Sequence, residues 1–299
     1  MAVAIDRVTV RVPATVANLG AGFDVLAAAV GMHAEVTLAP ATSPQVTVTG
    51  VDVAQDASNL IYRSATSVAD RAGYRGAFAL QAHSPIPLRS GLGSSAAAIV
   101  GGLVAANRLL GGALGADDLL IAATDLEGHP DNVAAALFGG VVVVARDGAR
   151  LRWARILPGF PLAIVLVTPS RQVDTAAARA ALPRQVALED AVFNLGHSGL
   201  LLVALSQEQP GLLGSALDDR LHQPYRRHLV PGFDRVVAEA KAAGAYGAVL
   251  SGSGPTVAAL TAPAAAQGVA QAMGEAFRHA GLESRILLTS IEPRGALEI

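Results

Sequence analysis

The sequence predicts an α+β fold in two parts, and three observations carry that reading. Strand-like and helix-like segments are mixed along the chain without the regular alternation that a parallel doubly wound sheet requires. The 299 residues, 52% of them hydrophobic, are enough for two domains with a sizeable core. Leu157-Pro158-Gly159-Phe160-Pro161, rich in turn formers, falls near the middle of the chain. It divides the sequence into candidate domains 1–157 and 158–299.

The elements follow in order. Residues 7–12 alternate apolar and polar side chains and read as a strand that Pro13 ends. Residues 13–24, with Asn18, Gly20 and Gly22, read as a loop with unusual backbone angles. Residues 25–30, 34–39 and 46–51 are further strands. Ser58 or Asn59 caps a helix over 60–72, and Gly73 stops it. Residues 77–83 form a strand and 96–110 a helix whose middle Gly101 and Gly102 weaken. A short helix over 117–126 delivers Glu127-Gly128-His129-Pro130-Asp131-Asn132 against apolar residues 133–138 and the strand 141–144. Polar groups crowded against core need mutual partners or a ligand, so this cluster is a candidate site. Asp147-Gly148 turns the chain into the strand 151–156.

In the second part residues 162–168 are an apolar strand, and Asp174 or Thr175 caps a helix to residue 181. Helices near 186–207 and 210–217 precede the polar stretch 219–231. Helices over 233–243 and 264–280 follow. Residues 248–250 and 256–260 flank the turn 251–255 as a hairpin, and 285–291 form a last strand.

Composition narrows the function. The net charge is −2, from 22 basic and 24 acidic residues. No block of like charge stands out, which argues against nucleic acid and anionic membrane as partners. There is no cysteine, which excludes disulfides and thiol chemistry and fits a cytoplasmic protein. The first seven residues lack the basic and apolar regions of a signal peptide. The uncharged run 90–107 holds four glycines, three serines and an asparagine, and reads as a buried helix rather than a membrane span.

The chemistry concentrates at Pro87-Leu88-Arg89-Ser90-Gly91-Leu92-Gly93-Ser94-Ser95-Ala96. The two glycines let the backbone turn tightly and approach a ligand, and either serine can cap the helix that follows. A Gly-rich loop entering a helix offers free N–H groups and the helix dipole to an anion, so the stretch reads as a phosphate loop. It is not a Walker A loop, which ends in Gly-Lys-Ser/Thr, because the single lysine is Lys241. Gly91-x-Gly93-x-x-Ala96 matches the loose dinucleotide fingerprint. Residues 84–90, with Pro85 and Pro87, separate the glycines from the preceding strand, which disfavours a nicotinamide oxidoreductase.

The longer pattern Pro-x-x-x-Gly-Leu-Gly-Ser-Ser-Ala-Ala over 87–97 resembles the phosphate loop of the GHMP small-molecule kinases. The family's other two motifs resemble residues 13–24 and Ser251-Gly252-Ser253-Gly254-Pro255-Thr256, so the likeness spans nearly the whole chain. Residues 12–24, 127–134 and Leu221-His222-Gln223-Pro224-Tyr225-Arg226 are most similar to the members that act on L-homoserine.

The resemblance implies an N-terminal ribosomal-protein-S5-like domain and a C-terminal ferredoxin-like domain, with ATP and acceptor between them. It implies ATP- and Mg²⁺-dependent phosphorylation of the L-homoserine side-chain hydroxyl by a cytoplasmic enzyme. The partner is a small molecule, with no nucleic acid or membrane, and a homodimer is the candidate assembly. Residues 87–96 then hold the nucleotide phosphates, Asn59 meets the adenine, and Ser251, Gly252, Ser253 and Gly254 close the site. Glu127 with the Ser95 hydroxyl is the Mg²⁺ site, since that ion prefers one or two carboxylates with phosphate oxygens. Asn18, Asp24, His129, Asp131 and Asn132 surround the acceptor, with Asp24 and Asp131 both candidates for its ammonium. Thr175, Arg179 and Arg226 take its carboxylate, which suits the guanidinium fork. Glu127, His129, Asn132 and Ser95 are the catalytic candidates. The base is unassigned, because the lysine used by mevalonate-type relatives has no counterpart here. Another alcohol acceptor and a non-catalytic metabolite-binding module are the alternative functions.

Overall fold

The computed structural model describes residues 5–148 and 150–299; the first four residues, part of the stretch read for a signal peptide, lie outside the described residues. The chain runs β1 (Val8–Ala17), β2 (Leu26–Ala41), β3 (Gln45–Thr49), α1 (Leu60–Ala72), β4 (Ala77–His83), α2 (Ser94–Leu109), α3 (Ala116–Glu127), α4 (Asp131–Phe138), β5 (Val141–Asp147) and β6 (Arg150–Ile156). It continues with β7 (Ala163–Pro169), α5 (Thr175–Ala180), α6 (Leu188–Ser206), α7 (Leu213–Ala216), α8 (Gln223–Arg226), α9 (Phe233–Ala242), β8 (Ala245–Leu250), β9 (Val257–Thr261), α10 (Ala266–His279), β10 (Ser284–Ser290) and β11 (Leu297–Glu298).

Two sheets result. The first has the order β11-β1-β2-β4-β3, with β5 on β2 and β6 on β5; only β3 and β4 run parallel. The second has the order β10-β7-β9-β8 with every pair antiparallel. With α9 and α10 crossing between its strands, that is the ferredoxin-like β-α-β-β-α-β arrangement. The chain passes from the first sheet to the second between Ile156 and Ala163 and returns at its end, where Val10 pairs with Glu298. One core joins the first sheet, α2 and α4 to Leu201, Leu205 and Leu213 of the second half. A smaller one lies between the second sheet and α9 and α10.

Local chemistry explains most boundaries. Asn59 caps α1 by accepting from Ile61 N at 2.9 Å, and Gly73 ends it at φ 68°. Pro13, expected to end the first strand, lies inside β1. The pairing jumps from Pro13–His33 to Ala14–Val30, so β2 bulges at Gly31 and Met32, and a residue without an N–H fits beside the broken ladder. The same bulge is why residues 25–30 and 34–39 read as two strands where there is one. The freed Gly31 N–H is taken up by Thr289 Oγ1 of β10 at 3.0 Å.

From Ser94 onward the uncharged run 90–107 is part of the core helix α2. Its residues Ile99, Leu103 and Ala106 are buried between α1 and the sheet. Gly101 and Gly102, weak points for an isolated helix, are where α2 touches its neighbours. A Cβ on Gly102 would strike the Ile61 carbonyl and lie 2.9 Å from Ser64 Cβ. The helix-propensity loss is exchanged for close packing. Gly→Ala at a compatible helix site usually stabilises by about 0.4–1 kcal/mol. Gly102→Ala has the opposite sign here, a loss of about 1–3 kcal/mol by overpacking. A lowered urea midpoint at unchanged m-value checks it.

Candidate active site

The phosphate loop is the first component. Arg89, Gly91 and Gly93 have φ of 52°, 81° and 67°, and α2 starts at Ser94. Its N-cap is Gly93, with no side-chain cap, where a serine cap was expected. A serine oxygen at that position would take up the N–H groups that an anion needs. The first intrahelical bond is Ala97 N to Gly93 O at 2.9 Å, so the N–H groups of Ser94, Ser95 and Ala96 have no acceptor within the helix. The loop is fixed through its carbonyls. Ser251 Oγ donates to Gly91 O at 2.6 Å. Thr256 N donates to Ser90 O and Thr15 N to Leu92 O, both at 3.1 Å. Side chains at Gly91 and Gly93 would strike the Ser251 carbonyl and Thr15 Oγ1.

Two cavities meet at the start of α2. One, of about 320 Å³, is lined by Arg89, Ser90, Gly91, Gly93, Ser94 and Ser95 together with Asn18, Asp24, Glu127, His129, Asp131, Asn132, Thr175, Arg179, Arg226, Gly252 and Ser253. The other, of about 150 Å³, is walled by Val36, Val48, Val51, Val53, Ile61 and Ala82 and also reaches Ser94 and Ser95. Asn59 lines this apolar pocket with both ends of its amide engaged, Oδ1 on Ile61 N and Nδ2 on Ala54 O at 2.7 Å. Of the residues expected at the phosphates, Leu92 and Ala96 place their side chains in the core. Pro87 lies outside both cavities and braces the loop, its carbonyl accepting from Ser90 Oγ at 2.7 Å. Leu88 and Gly254 line neither cavity.

The acidic cluster faces the loop. Gly128, at φ 90°, ends α3, and Pro130 starts α4. The turn between them projects Glu127, His129 and Asp131. Ser95 Oγ donates to Glu127 Oε1 at 2.6 Å. Burial holds the Glu127 carboxyl above its usual range, against the pull of Ser95 and His129. His129 Nδ1 meets Asp131 Oδ1 at 2.8 Å, and Nε2 lies 3.9 Å from Glu127 Oε1. Burial disfavours the imidazolium, but the Asp131 hydrogen bond and the two negative charges outweigh it and raise the pKa. Asn132 Oδ1 accepts from Thr15 Oγ1 at 2.6 Å, which commits its oxygen and leaves its NH₂ for the cleft.

The loop between β1 and β2 carries the remaining wall. Asn18, Leu19 and Asp24 have positive φ (72°, 44° and 56°). The second half holds this loop in place. Asn18 Nδ2 donates to Gly252 O at 3.0 Å, His222 to Gly20 O at 2.9 Å, and Asn194 Nδ2 and Ser198 Oγ to Ala21 O at 3.2 and 2.7 Å. Arg179 forks onto Asp24 with bonds of 2.9 and 3.0 Å. Buried Arg226 donates to Ala178 O and Gly252 O, its guanidinium 5.0 Å from the Phe23 ring centre. Thr175 Oγ1 lies 3.5 Å from Ser253 Oγ.

Thr15, Phe23, Asn194, Asp219 and His222 support the site without having been singled out by the sequence. Thr15 and Phe23 stand inside the motif at 13–24, and His222 inside the stretch around Arg226. The residue types gave no sign of a role, because Thr15, Phe23, Asn194 and His222 act through contacts distant in sequence.

Family models and known proteins match the chain over most of its length. The family described as GHMP kinases N terminal domain matches residues 59–140, and GHMP kinases C terminal matches 201–279. The chain is 44% identical over 297 residues to a homoserine kinase of Carboxydothermus hydrogenoformans, covering 98% of this chain and 97% of that protein. It is 43% identical over 281 residues to one of Moorella thermoacetica, covering 93% and 95%. The crystal structure of homoserine kinase from Cytophaga hutchinsonii aligns at TM-score 0.91 and 35% identity, over 100% of this chain and 99% of that one. Mevalonate diphosphate decarboxylase from Staphylococcus aureus shares the fold, at TM-score 0.74 and 15% identity over 98% of each chain.

One consequence concerns acid stability. Burial pushes the His222 imidazole below its ordinary pKa, although Asp219 pulls the other way. As pH falls through about 6.5, the unfolded chain takes up a proton that the folded chain refuses, so stability is lost with acid. His222→Gln keeps an N–H donor for Gly20 and cannot titrate. Its Tm should fall less than that of the wild type between about pH 7.5 and about pH 5.5, measured by thermal melts in matched buffers.

Proposed function

This chain belongs to the homoserine kinases of the GHMP kinase family, and on that premise we propose how its cleft moves the γ-phosphoryl group of ATP to the side-chain hydroxyl of L-homoserine. The product is O-phospho-L-homoserine, on the route to threonine. One observation carries the assignment of roles: the phosphate loop, the Glu127–Asn132 cluster and the Asp24–Arg179 pair line a single cavity.

The apolar pocket takes the adenine, with Asn59 shaping its wall through its two committed hydrogen bonds. The N–H groups of Ser94, Ser95 and Ala96 and the dipole of α2 take the phosphates. Residues 1–157 thus hold the nucleotide and form one wall of the acceptor site, and 158–299 supply Thr175, Arg179 and Arg226 to the acceptor. Asp131 already accepts from His129 and from Asn132 N at 2.8 Å. Both bonds fall on Asp131 Oδ1, whereas Arg179 engages both oxygens of Asp24. Asp24 or Asp131 meets the acceptor ammonium, and Arg179 and Arg226 meet its carboxylate. The hydroxyl then lies between the Asn132 NH₂ and the phosphates.

Phosphoryl transfer passes through a loose transition state that asks for positioning and charge cancellation. Asp131 orients His129 through Nδ1 and raises the imidazole's affinity for a proton, and in its protonated form the ring presents positive charge at Nε2 to the phosphates. The Glu127 carboxylate and the Ser95 hydroxyl fit Mg²⁺, because a buried carboxylate at the mouth of a phosphate loop gains most from a cation. When bound, the ion would cancel charge on the transferring phosphates. The enzyme works on a free metabolite, in the cytoplasm.

Coupled ADP-release assays with L-homoserine, threonine, mevalonate, galactose and shikimate test the substrate. Turnover with homoserine alone is expected; turnover with mevalonate or galactose and none with homoserine contradicts it. Glu127→Gln should cut kcat by about 10²–10³ with the fold intact. A rate within about threefold of wild type would mean that Glu127 contributes no transition-state stabilisation.

A further inference from the structure

Helix α6 has two unlike faces. One is spent inside the molecule: Asn194 Nδ2 and Ser198 Oγ hold the Ala21 carbonyl, and Leu201, Ala204 and Leu205 join the core. The other is apolar and open to solvent. Leu188 is 80% exposed, Leu195 76% and Val192 59%, and Leu200 and Val203 are each exposed by more than a third. A single exposed leucine is ordinary, but five large apolar residues along one helix mark an interaction surface.

Three features say what covers this face. No Asp, Glu, Lys or Arg occurs from Ala191 to Gln207, so a charged partner surface would find no counter-charge along it. Gly196 and Gly199 are exposed, and a Cβ on either would meet nothing within 4 Å. Within one chain these glycines weaken the helix for no contact, whereas against a second helix they let two backbones come close. The residue types also read alike from both directions about the point between His197 and Ser198: valine at 192 and 203, leucine at 195 and 200, glycine at 196 and 199. At about 100° per residue, Val192, Gly196, Gly199 and Val203 run along the middle of the outer face, with Leu195 on one flank and Leu200 on the other.

We propose that this face docks a second copy of the chain, α6 lying antiparallel on α6 about a two-fold axis that passes between His197 and Ser198. A two-fold contact uses the same patch on both copies, so the patch must complement itself, and this one does. The axis sets Val192 against the partner's Val203 and gathers the glycines of both copies at the crossing. Leu195 and Leu200 close the two sides of the seam, each beside its own symmetry mate, and the antiparallel helix dipoles attract. A lipid surface fits less well. A helix lying in a bilayer interface carries Lys and Arg on its polar face, whereas no Lys or Arg occurs between Arg184 and Arg220, and Glu189, Asp190 and Glu208 flank the face. The inner face of α6 stays on the loop between β1 and β2, so docking leaves both clefts open. The proposal goes beyond the kinase reading and does not depend on it.

Sedimentation equilibrium of the full chain tests this. At about 10 μM the wild type should sediment as a dimer, at twice the 30.2 kDa of one chain. Leu195→Glu and Leu195→Lys should each raise the dimer dissociation constant at least about a hundredfold, because like charges then meet across the axis. An equimolar mixture of the two variants should associate at least about tenfold more tightly than either alone, since opposite charges now meet at the same place. Misfolding cannot produce that rescue, and Leu195 is exposed in one chain, so thermal melts of the variants should match the wild type. A monomeric wild type overturns the proposal. Variants that dimerise as tightly as the wild type overturn the placement on α6, and a mixture no tighter than its components overturns the two-fold register. Wild-type protein that co-sediments with phosphatidylcholine–phosphatidylglycerol vesicles, where Leu195→Glu does not, assigns the face to lipid and overturns the proposal. None of these readouts uses catalysis, so each outcome leaves the kinase reading as it stands.

Discussion

The whole site depends on a loop held by its carbonyls. Ser90, Gly91 and Leu92 each give a backbone oxygen to a donor from elsewhere, Thr256 N, Ser251 Oγ and Thr15 N. A loop anchored in that way keeps its N–H groups for a ligand. Gly93 as an uncapped N-cap completes the arrangement, since a capping side chain would compete with the anion. The donors come from β1 and from the turn between β8 and β9, so the phosphate site exists only when both sheets are in place. The zero exposure of Ser251 and Thr256 shows how tightly that turn is packed against the loop.

The acceptor side follows the same logic at a greater local cost. Asn18, Leu19 and Asp24 occupy a left-handed conformation that side chains other than glycine adopt reluctantly. The strain persists because Asn194, Ser198 and His222 of the second half pin the carbonyls of Gly20 and Ala21. Phe23 lies between the His222 ring and the two guanidinium groups, its centroid 5.3 Å from the former. The wall of the cleft proposed for the acceptor is therefore built by the contact between the halves. The α6 helix illustrates the point. It is long and apolar enough by composition to cross a membrane, yet its polar residues Asn194 and Ser198 are spent on this loop.

Legibility in the sequence divides along the range of the forces. Where a boundary is set by a local cap or turn, it could be read directly. Helix α1 begins after Asn59 and ends at Gly73, and β4 spans the residues 77–83 read as a strand. The polar cluster at 127–132 stood out because charges next to core demand partners, and the structure groups those side chains with the phosphate loop. What escaped was long-range. Pro13 looked like a strand end because the bulge that tolerates it lies on β2. Strand β11 is two residues long and exists only through its pairing with β1. The apolar pocket is assembled from β2, β3, β4 and α1, and no contiguous stretch announces it. The serines after Gly93 suggested a cap by residue type, and only the requirement for free N–H groups shows why the glycine holds that place.

A crystal structure with a non-hydrolysable ATP analogue and L-homoserine bound together tests the central claim, that one cleft between the two sheets holds both reactants, most directly. The account predicts adenine among Val36, Val48 and Ile61 and phosphates on the N–H groups of Ser94, Ser95 and Ala96. It places the homoserine hydroxyl oxygen in line with the γ-phosphorus at about 3–3.5 Å. A nucleotide bound outside the cleft, or a hydroxyl turned away from the γ-phosphate with the amino acid in another cavity, would contradict it.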